Sequence, residues 1–205
     1  MQVTRRSALS VVSAAGLGAL LARPRTARAE TDPRETERSF GKPDAKVTVT
    51  EFFSLTCTHC AHFANAVMPQ VTKELVEPGK VRFVYRDFPL DQVALTAAMV
   101  ARALPPERYE PFIAALFANQ DRWAFARGAD TIGELGKLAG LAGLSQDTFN
   151  ATIKDTAFRN WILTQQAADQ KRYSIDSTPT FLIAGKTHPG AMEFDAFAKL
   201  VEAAS

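Results

Sequence analysis

Hydrophobic and polar positions along the chain predict strands toward both ends and helices between them. Residues 47–53 and 81–88 are short runs of β-branched and aromatic residues bounded by turn residues, which is typical of strands. Between them, residues 57–76 carry apolar side chains at every fourth position, which predicts a helix with one buried face that Pro69 bends. Two strands joined by one helix form a βαβ unit with parallel strands.

Helical patterns then replace strand patterns from residue 91 to residue 174. A strand resumes at 180–184, and Gly185-Lys186 predicts a tight turn into a short strand around Thr187-His188. Residues 193–203 close the chain as a helix. The sequence therefore predicts an α/β fold of order βαβ…ββα with an inserted all-helical segment, and a short edge strand near Phe40.

The first 29 residues have the three-part pattern of an export signal. A basic start containing Arg5-Arg6 precedes a small, apolar run at 8–22, and Ala27-Arg28-Ala29 predicts cleavage near Ala29. The apolar run is shorter than the roughly 18–20 residues that a membrane anchor needs, so cleavage is favoured over anchoring. The paired arginines favour a twin-arginine route, and a general secretory route stays open.

Composition and charge narrow the class of protein. The chain has 205 residues, of which 46% are hydrophobic and 22% are charged, as in ordinary globular proteins. Removing residues 1–29 takes away five arginines and leaves 19 basic against 22 acidic residues, so the net charge changes from +2 to −3. We therefore expect no nucleic-acid partner. The export signal predicts that the protein is in the oxidising periplasm, where paired cysteines can cycle between thiols and a disulfide.

The only two cysteines, Cys57 and Cys60, lie at the predicted strand-to-helix junction. The free amides and the dipole of a helix N-terminus stabilise a thiolate, which predicts Cys57 as the exposed nucleophile. Cys60 lies one helical turn further and is predicted to be the more buried, resolving thiol. His59 between them would stabilise the thiolate further and make a disulfide of this pair more oxidising.

The cysteine pair has two other interpretations, a structural disulfide and half of a zinc site. A structural disulfide of this size would close a very short loop and restrain little of the unfolded chain. A zinc site would need His59 and His62 as partners, and the chain offers only His188 besides them. Thiol–disulfide chemistry is therefore the favoured interpretation, with no metal and no cofactor.

Two further positions belong to this prediction. Glu51 is a carboxylate in an otherwise apolar strand, six residues before Cys57, and we expect it to exchange a proton with Cys60. An edge-exposed glutamate is the alternative. Pro179 directly precedes an apolar strand, where a cis Thr178–Pro179 bond would free the Thr178 backbone for an extended substrate, and an ordinary trans proline is the alternative.

Three segments together resemble the DsbA-type thiol–disulfide oxidoreductases: Glu51-Phe52-Phe53-Ser54, Cys57-Thr58-His59-Cys60 and Thr178-Pro179-Thr180-Phe181. The resemblance covers roughly residues 39–204. It implies a thioredoxin-like domain of residues 30–90 and 175–205 and an inserted helical domain of residues 91–174. It also implies a catalytic Cys57–Cys60 disulfide, a cis-proline at Pro179 and a buried acid at Glu51.

The resemblance further implies an oxidase that donates its disulfide to reduced exported polypeptides and is reoxidised by a membrane quinone-linked thiol oxidase. The arm at residues 30–45 is too short for the long N-terminal region of dimeric isomerases, so we expect a monomer. The first characterised member of the family has proline at the position of Thr58 and valine at that of Thr178. A disulfide isomerase or reductase of the same fold, or a non-catalytic peptide-binding chaperone, therefore stays open.

Overall fold

Five strands form one mixed sheet in the computed structural model of the chain, which describes residues 31–126, 128 and 130–205. The strands are β1 (Arg38–Phe40), β2 (Val47–Phe53), β3 (Val81–Asp87), β4 (Thr180–Ile183) and β5 (Lys186–Pro189). Their spatial order is β1-β3-β2-β4-β5. β2 and β3 are parallel, as predicted, and the other neighbouring pairs are antiparallel. The predicted export signal lies outside the described residues.

β2 is the central strand, and its burial explains its sequence pattern. Apolar and polar residues alternate in its first half, and its last two residues are both phenylalanine. Val47 and Val49 are buried while Thr48 is exposed, so only one face of the strand's first half is covered. The last three residues are all buried, because helices cover both faces of the sheet there. Phe52 and Phe53 belong to two different hydrophobic clusters, one on each face.

Helices occupy most of the remaining described chain. They are α1 (Thr58–His62), α2 (Met68–Val71), α3 (Gln92–Ala103), α4 (Pro106–Ala118), α5 (Gln120–Trp123), α6 (Thr131–Leu141), α7 (Gln146–Lys154), α8 (Thr156–Tyr173) and α9 (Phe194–Ala203), with a short 3₁₀ turn at Pro33–Glu35. Ser145 caps α7 through its side chain. Helices α3–α8 all lie between β3 and β4, within the predicted helical segment.

The first long helix is irregular in the way that Pro69 suggests. α1 and α2 are joined by a π-helical stretch, Phe63–Val67, and a second one, Thr72–Val76, follows α2. Proline has no backbone N–H to donate to the preceding turn, and wider π turns accommodate such a loss. The helix that starts at the cysteines therefore contains two π-helical stretches along its length.

The β4–β5 hairpin differs by one residue from the prediction. Ile183 pairs with Lys186, so the two loop residues are Ala184 and Gly185, and β5 already begins at Lys186. Both loop residues have positive φ (48° and 77°), as a two-residue hairpin turn of type I′ requires. At the opposite edge of the sheet, β1 is the strand expected near Phe40, and it pairs with β3.

One hydrophobic cluster extends from the sheet into the helical segment. Phe53 of β2 packs edge-on against Phe117 of α4 at 6.0 Å between ring centroids. On the same cluster, Phe63 packs against Phe181 of β4 and Phe197 of α9. These contacts bring the carboxyl end of β2, the start of the first helix and α4 together. Within the described part of the chain, no helix is long and apolar enough to span a bilayer.

Candidate active site

Cys57 occupies the N-cap position of α1, as the sequence predicts. Its backbone is extended (φ −80°, ψ 120°), and its carbonyl accepts the first helical hydrogen bond from the Ala61 N–H at 3.1 Å. The Cys57 N–H donates back to the Ser54 carbonyl at 3.0 Å, which fixes the loop between β2 and the helix. The sulfur is therefore held beside the free amides of the helix N-terminus.

A residue that the sequence analysis missed supports this loop from the helical segment. The buried Gln120 side chain donates to the Leu55 carbonyl at 2.9 Å and to the Cys57 carbonyl at 3.2 Å. Thr56 is held as well, because its hydroxyl donates to Asp91 at 2.7 Å. Gln120 begins the short, polar helix α5, and its partners are more than 60 residues away in the sequence, so no local pattern indicates this role.

The Cys57 thiolate is strongly stabilised. Its pKa is lowered from 9.0 to about 5, chiefly because the Cys60 side chain can donate a hydrogen bond to it. Partial burial opposes this effect, while the Thr178 side chain and the backbone N–H groups of Cys60 and His59 add to it. The structure brings the His59 backbone to the sulfur, whereas the His59 side chain is exposed.

Cys60 has the opposite character. It is fully buried at 0% exposure, and its burial raises the pKa of its thiol far above the usual range, with the charges of Cys57 and Glu51 adding to the effect. Cys57 is only 9% exposed, so the prediction of an exposed nucleophile is corrected to a mostly covered one. The chain around Thr178 covers it. Cys60 is more deeply buried than Cys57, as the sequence predicts.

Glu51 lies in the middle of β2, between Tyr85 of β3 and Phe181 of β4. It is 3% exposed, so the alternative of an edge-exposed glutamate is wrong. Burial raises its pKa from 4.5 to about 8, and the Cys57 charge adds to this shift. Because the Glu51 charge in turn raises the pKa of Cys60, the carboxylate and the buried thiol are electrostatically coupled.

The segment before β4 meets the cysteines from the far end of the chain. The Thr178–Pro179 peptide bond is cis, and the Cys57 thiol donates to the Thr178 carbonyl at 3.2 Å. The Thr178 hydroxyl is buried and has no hydrogen-bond partner among the described residues. When Cys57 ionises, this hydroxyl can donate to the thiolate, which agrees with its lowering of the Cys57 pKa.

The two histidines near the cysteines lie on the surface. His59 and His62 are both exposed, and His62 contacts the exposed Glu193 at 3.4 Å. Within residues 31–126, 128 and 130–205, no group of three or more metal-ligating side chains is placed to hold an ion. The site brings together two neighbouring thiols with opposite acidities and one buried acid.

A strand-to-helix Cys-x-x-Cys facing a cis-proline defines a protein of the thioredoxin class, and comparison with known proteins agrees. The family model described as Thioredoxin matches residues 33–203, so the chain belongs to the thioredoxin family. The solved structure of Wolbachia pipientis alpha-DsbA1 superimposes with a TM-score of 0.76 at 29% identity, over 82% of this chain and 90% of that one. Together these matches confirm the resemblance to DsbA-type proteins.

Relatives in sequence extend the comparison. Disulfide bond formation protein D of Bacillus subtilis is 25% identical over 171 residues, which cover 79% of this chain and 74% of that protein. A protein of Rickettsia bellii is 23% identical over 153 residues, covering 74% of this chain and 58% of its own length. This chain therefore spans little more than half the length of the rickettsial relatives that it matches.

Proposed function

We propose that this protein is an exported thiol:disulfide oxidase that introduces disulfides into reduced exported polypeptides through the Cys57–Cys60 pair. The observation that carries the proposal is the opposite acidity of the two thiols. Cys57, with a pKa of about 5, is the good leaving group and the stable thiolate, whereas the pKa of Cys60 is raised by its burial. A stabilised thiolate favours the reduced form of the pair and makes its disulfide oxidising.

In the proposed reaction, a substrate thiolate attacks the Cys57 sulfur of the Cys57–Cys60 disulfide. The S–S bond breaks, a mixed disulfide forms at Cys57, and Cys60 leaves with the electron pair. A second substrate thiol loses its proton to solvent and attacks the substrate sulfur, so Cys57 leaves as a thiolate. The substrate is oxidised to a disulfide, and the enzyme pair is reduced by two electrons.

Glu51 supplies the proton that these reaction steps require. Cys60 leaves the disulfide as a buried thiolate, which its surroundings strongly disfavour. With a pKa of about 8, Glu51 is protonated at neutral pH and can transfer its proton to Cys60, directly or through a water molecule. When the membrane partner reoxidises the pair, Glu51 takes the proton back.

The proposed compartment and partners follow from the remaining features of the chain. The pattern of residues 1–29 supports export to the periplasm, with cleavage near Ala29 and Arg5-Arg6 favouring the twin-arginine route. A membrane quinone-linked thiol oxidase is the proposed reoxidant. The Thr178 backbone beside Cys57 is the proposed contact for an extended segment of substrate. We propose that the protein acts as a monomer without a metal or cofactor.

The redox equilibrium of the purified protein with glutathione tests the direction of the reaction. We expect a reduction potential between about −200 and −100 mV, the range of oxidising members of this superfamily. A potential near −270 mV, as in reducing members, would contradict the oxidase and favour a reductase. If the protein repaired scrambled disulfides in a substrate faster than it oxidised a reduced substrate, an isomerase would be favoured.

Two variants test the roles of the cysteines and the chaperone alternative. Cys60→Ala should accumulate a mixed disulfide with a substrate that carries a disulfide, because its Cys57 thiolate attacks that disulfide, releases one substrate thiolate and leaves no resolving thiol. Cys57→Ser should form none. If the Cys57→Ser, Cys60→Ser double variant kept its effect on substrate folding, a non-catalytic peptide-binding role would replace the oxidase.

A further inference from the structure

The turn that leads into Cys57 has a side-chain contact that no local rule requires. Residues 54–57 form a tight turn, in which the Cys57 N–H donates to the Ser54 carbonyl at 3.0 Å. Leu55 and Thr56 are the two central residues of this turn, so the backbone of Thr56 sets the direction in which the chain enters Cys57. A contact that holds Thr56 therefore also orients the nucleophile.

A series of hydrogen bonds joins this turn to the residues that begin α3. The Leu90 N–H donates to the Ser54 hydroxyl oxygen at 3.3 Å, and the Thr56 hydroxyl donates to an Asp91 carboxylate oxygen at 2.7 Å. The two hydroxyl oxygens are 3.3 Å apart. Because Thr56 gives its one hydroxyl hydrogen to Asp91, the Ser54 hydroxyl donates in that contact. The start of the helical segment thus contacts both hydroxyl side chains of the turn.

Each carboxylate oxygen of Asp91 accepts a different hydrogen bond. Oδ1 accepts from the Ala94 N–H at 2.8 Å and caps α3, while Oδ2 accepts from the Thr56 hydroxyl. The cap fixes the orientation of the carboxylate, so its second oxygen is directed at the turn. A hydroxyl that donates to a carboxylate forms a stronger bond than one that donates to a neutral acceptor. Asp91 therefore connects the first helix of the helical segment to the residue before Cys57.

The charge of Asp91 is not the means by which it influences Cys57. Asp91 is not among the groups that shift the Cys57 pKa, whereas the backbone N–H groups of His59 and Cys60 are. Those N–H groups stabilise the thiolate only while the sulfur faces the start of α1. Since the turn sets that direction, the hydrogen bond to Thr56 is the route by which Asp91 affects the nucleophile.

We propose that Asp91 is a positioning residue for Cys57, which it holds in the geometry for disulfide exchange through the Thr56 hydroxyl. The inference rests on the proposed function, in which a substrate thiolate attacks the Cys57 sulfur while the Cys60 sulfur leaves. The attacking and leaving sulfurs lie on opposite sides of the Cys57 sulfur, so the direction of the Cys57 side chain decides whether an attack succeeds. Without the Asp91–Thr56 bond, the turn departs from that direction more often.

Two substitutions remove this bond and two keep it. Thr56→Val keeps the β-branched shape without a hydroxyl, and Asp91→Ser keeps an N-cap for α3 but is too short to reach Thr56. Thr56→Ser keeps a hydroxyl. Asp91→Asn caps α3 with its amide oxygen and donates from its amide nitrogen to the Thr56 oxygen, so it keeps a bond without the charge. Thr164→Val is the matched control, because the exposed Thr164 hydroxyl donates to the Asn160 carbonyl at 2.8 Å within α8.

The rate at which a peptide dithiol reduces the oxidised protein is the main measurement. We expect Thr56→Val and Asp91→Ser to lower it by about threefold to tenfold, as one lost hydrogen bond would. The double variant should lose no more than either single one, because both residues act through the same bond. Thr56→Ser and Asp91→Asn should each recover most of the loss. Thr164→Val should match the unchanged protein.

The Cys57 pKa and the urea stability separate positioning from a merely structural role. In Thr56→Val and Asp91→Ser the Cys57 pKa should rise by about half a unit, because the N–H groups at the start of α1 are less well aligned with the sulfur. If Thr56→Val loses only as much stability as Thr164→Val and keeps the rate and the Cys57 pKa, the proposal is wrong. If Asp91→Asn loses as much rate as Asp91→Ser, the charge matters and not the bond, which also overturns it.

Failure of the proposed function gives a different result. The Cys57 pKa is measured by thiolate ultraviolet absorbance in the reduced protein, which requires no disulfide exchange. If the unchanged protein exchanges no disulfide and Thr56→Val still raises the Cys57 pKa, the oxidase is wrong while Asp91 still positions Cys57. If exchange is normal and Thr56→Val changes neither the rate nor the Cys57 pKa, the oxidase stands and the positioning role fails.

Discussion

Two buried carboxylates on neighbouring strands have very different surroundings. Asp87, at the end of β3, accepts hydrogen bonds from the buried Arg102 guanidinium and, at 3.0 Å, from the Tyr109 hydroxyl. The same guanidinium also donates to two backbone carbonyls of the N-terminal arm. Among the described residues, no basic side chain shifts the pKa of Glu51, which burial raises to about 8.

The difference separates a carboxylate that stabilises the structure from one that is available for chemistry. A buried acid with a guanidinium partner keeps its charge, because ion pairing and hydrogen bonds replace the lost hydration. A buried acid without such a partner keeps its proton instead, and a pKa near neutrality lets it exchange that proton during a reaction. Asp87 ties the arm, β3 and the helices together, whereas Glu51 serves the cysteines.

The largest expected effect follows from removing the paired acid. Asp87→Asn leaves Arg102 buried without its counter-charge, so we expect the free energy of unfolding to fall by about 3–5 kcal/mol. Urea unfolding followed by circular dichroism measures it. The matched control is Asp169→Asn, whose partner Arg86 is 32% exposed and can be solvated, so its cost should be about 1 kcal/mol. Equal losses in the two variants would contradict the distinction.

The second prediction concerns the pH dependence of stability in the reduced protein. Glu51 has a pKa of about 8 when folded and 4.5 ordinarily, so the unfolded chain releases this proton first and stability falls as pH rises between these values. The pKa of Cys57 shifts in the opposite direction, from 9.0 ordinarily to about 5 when folded. Its contribution to stability therefore grows as pH rises from 5 to 9. Each slope is about 1.4 kcal/mol per pH unit, and the two oppose each other from pH 5 to 8.

Single variants should reveal each slope by itself. Glu51→Gln should become more stable as pH rises, and at pH 7 it should exceed the unchanged protein by up to about 3 kcal/mol, since the cost of keeping the buried acid is gone. Cys57→Ser should instead lose stability with rising pH, with a smaller shift at Glu51 because the thiolate charge is absent. Denaturant titrations at pH 5, 6, 7 and 8 under reducing conditions measure both. Parallel pH profiles in the two variants would refute the assignment of the slopes.

The parts of the site that could be predicted from the sequence are those set by local rules. A Cys-x-x-Cys between a strand and a helix places one sulfur at the helix N-terminus, whatever the rest of the chain does. Glu51 was recognisable because a single acid in an apolar strand is costly. The starts of α6 and α8 also follow a local rule, because Asp130 and Asp155 cap them through their side chains.

The parts that were missed depend on contacts between distant segments. Gln120 is unremarkable in its own helix and matters only because α5 begins beside the Cys57 loop. The partial cover over Cys57 comes from Thr178, 121 residues away. The Asp87–Arg102 pair is similar, since no spacing rule links the end of a strand to the last turn of the following helix. Such partners are fixed by tertiary packing, which periodicity and composition do not encode.

The smallest expected effect concerns a buried polar group that lacks a partner, as Glu51 lacks a cation. Thr178→Val keeps the β-branched shape and removes the hydroxyl that has no hydrogen-bond partner while Cys57 is a thiol. In the thiolate form the hydroxyl stabilises the charge, so we expect the Cys57 pKa to rise by about one unit, or about 1.4 kcal/mol. The same energy lowers the reduction potential by about 30 mV.

The pH dependence of thiolate ultraviolet absorbance measures the Cys57 pKa, and the glutathione equilibrium measures the potential. Thr180→Val is the matched control, because the Thr180 hydroxyl donates to the Ser177 carbonyl at 2.8 Å and is not among the groups that shift the Cys57 pKa. It should leave both quantities unchanged. An unchanged Cys57 pKa in Thr178→Val would mean that the Cys60 thiol and the helix amides hold the thiolate without help from Thr178. A rise in both variants would indicate a general disturbance of the segment before β4, because only one of the two hydroxyls can reach the sulfur.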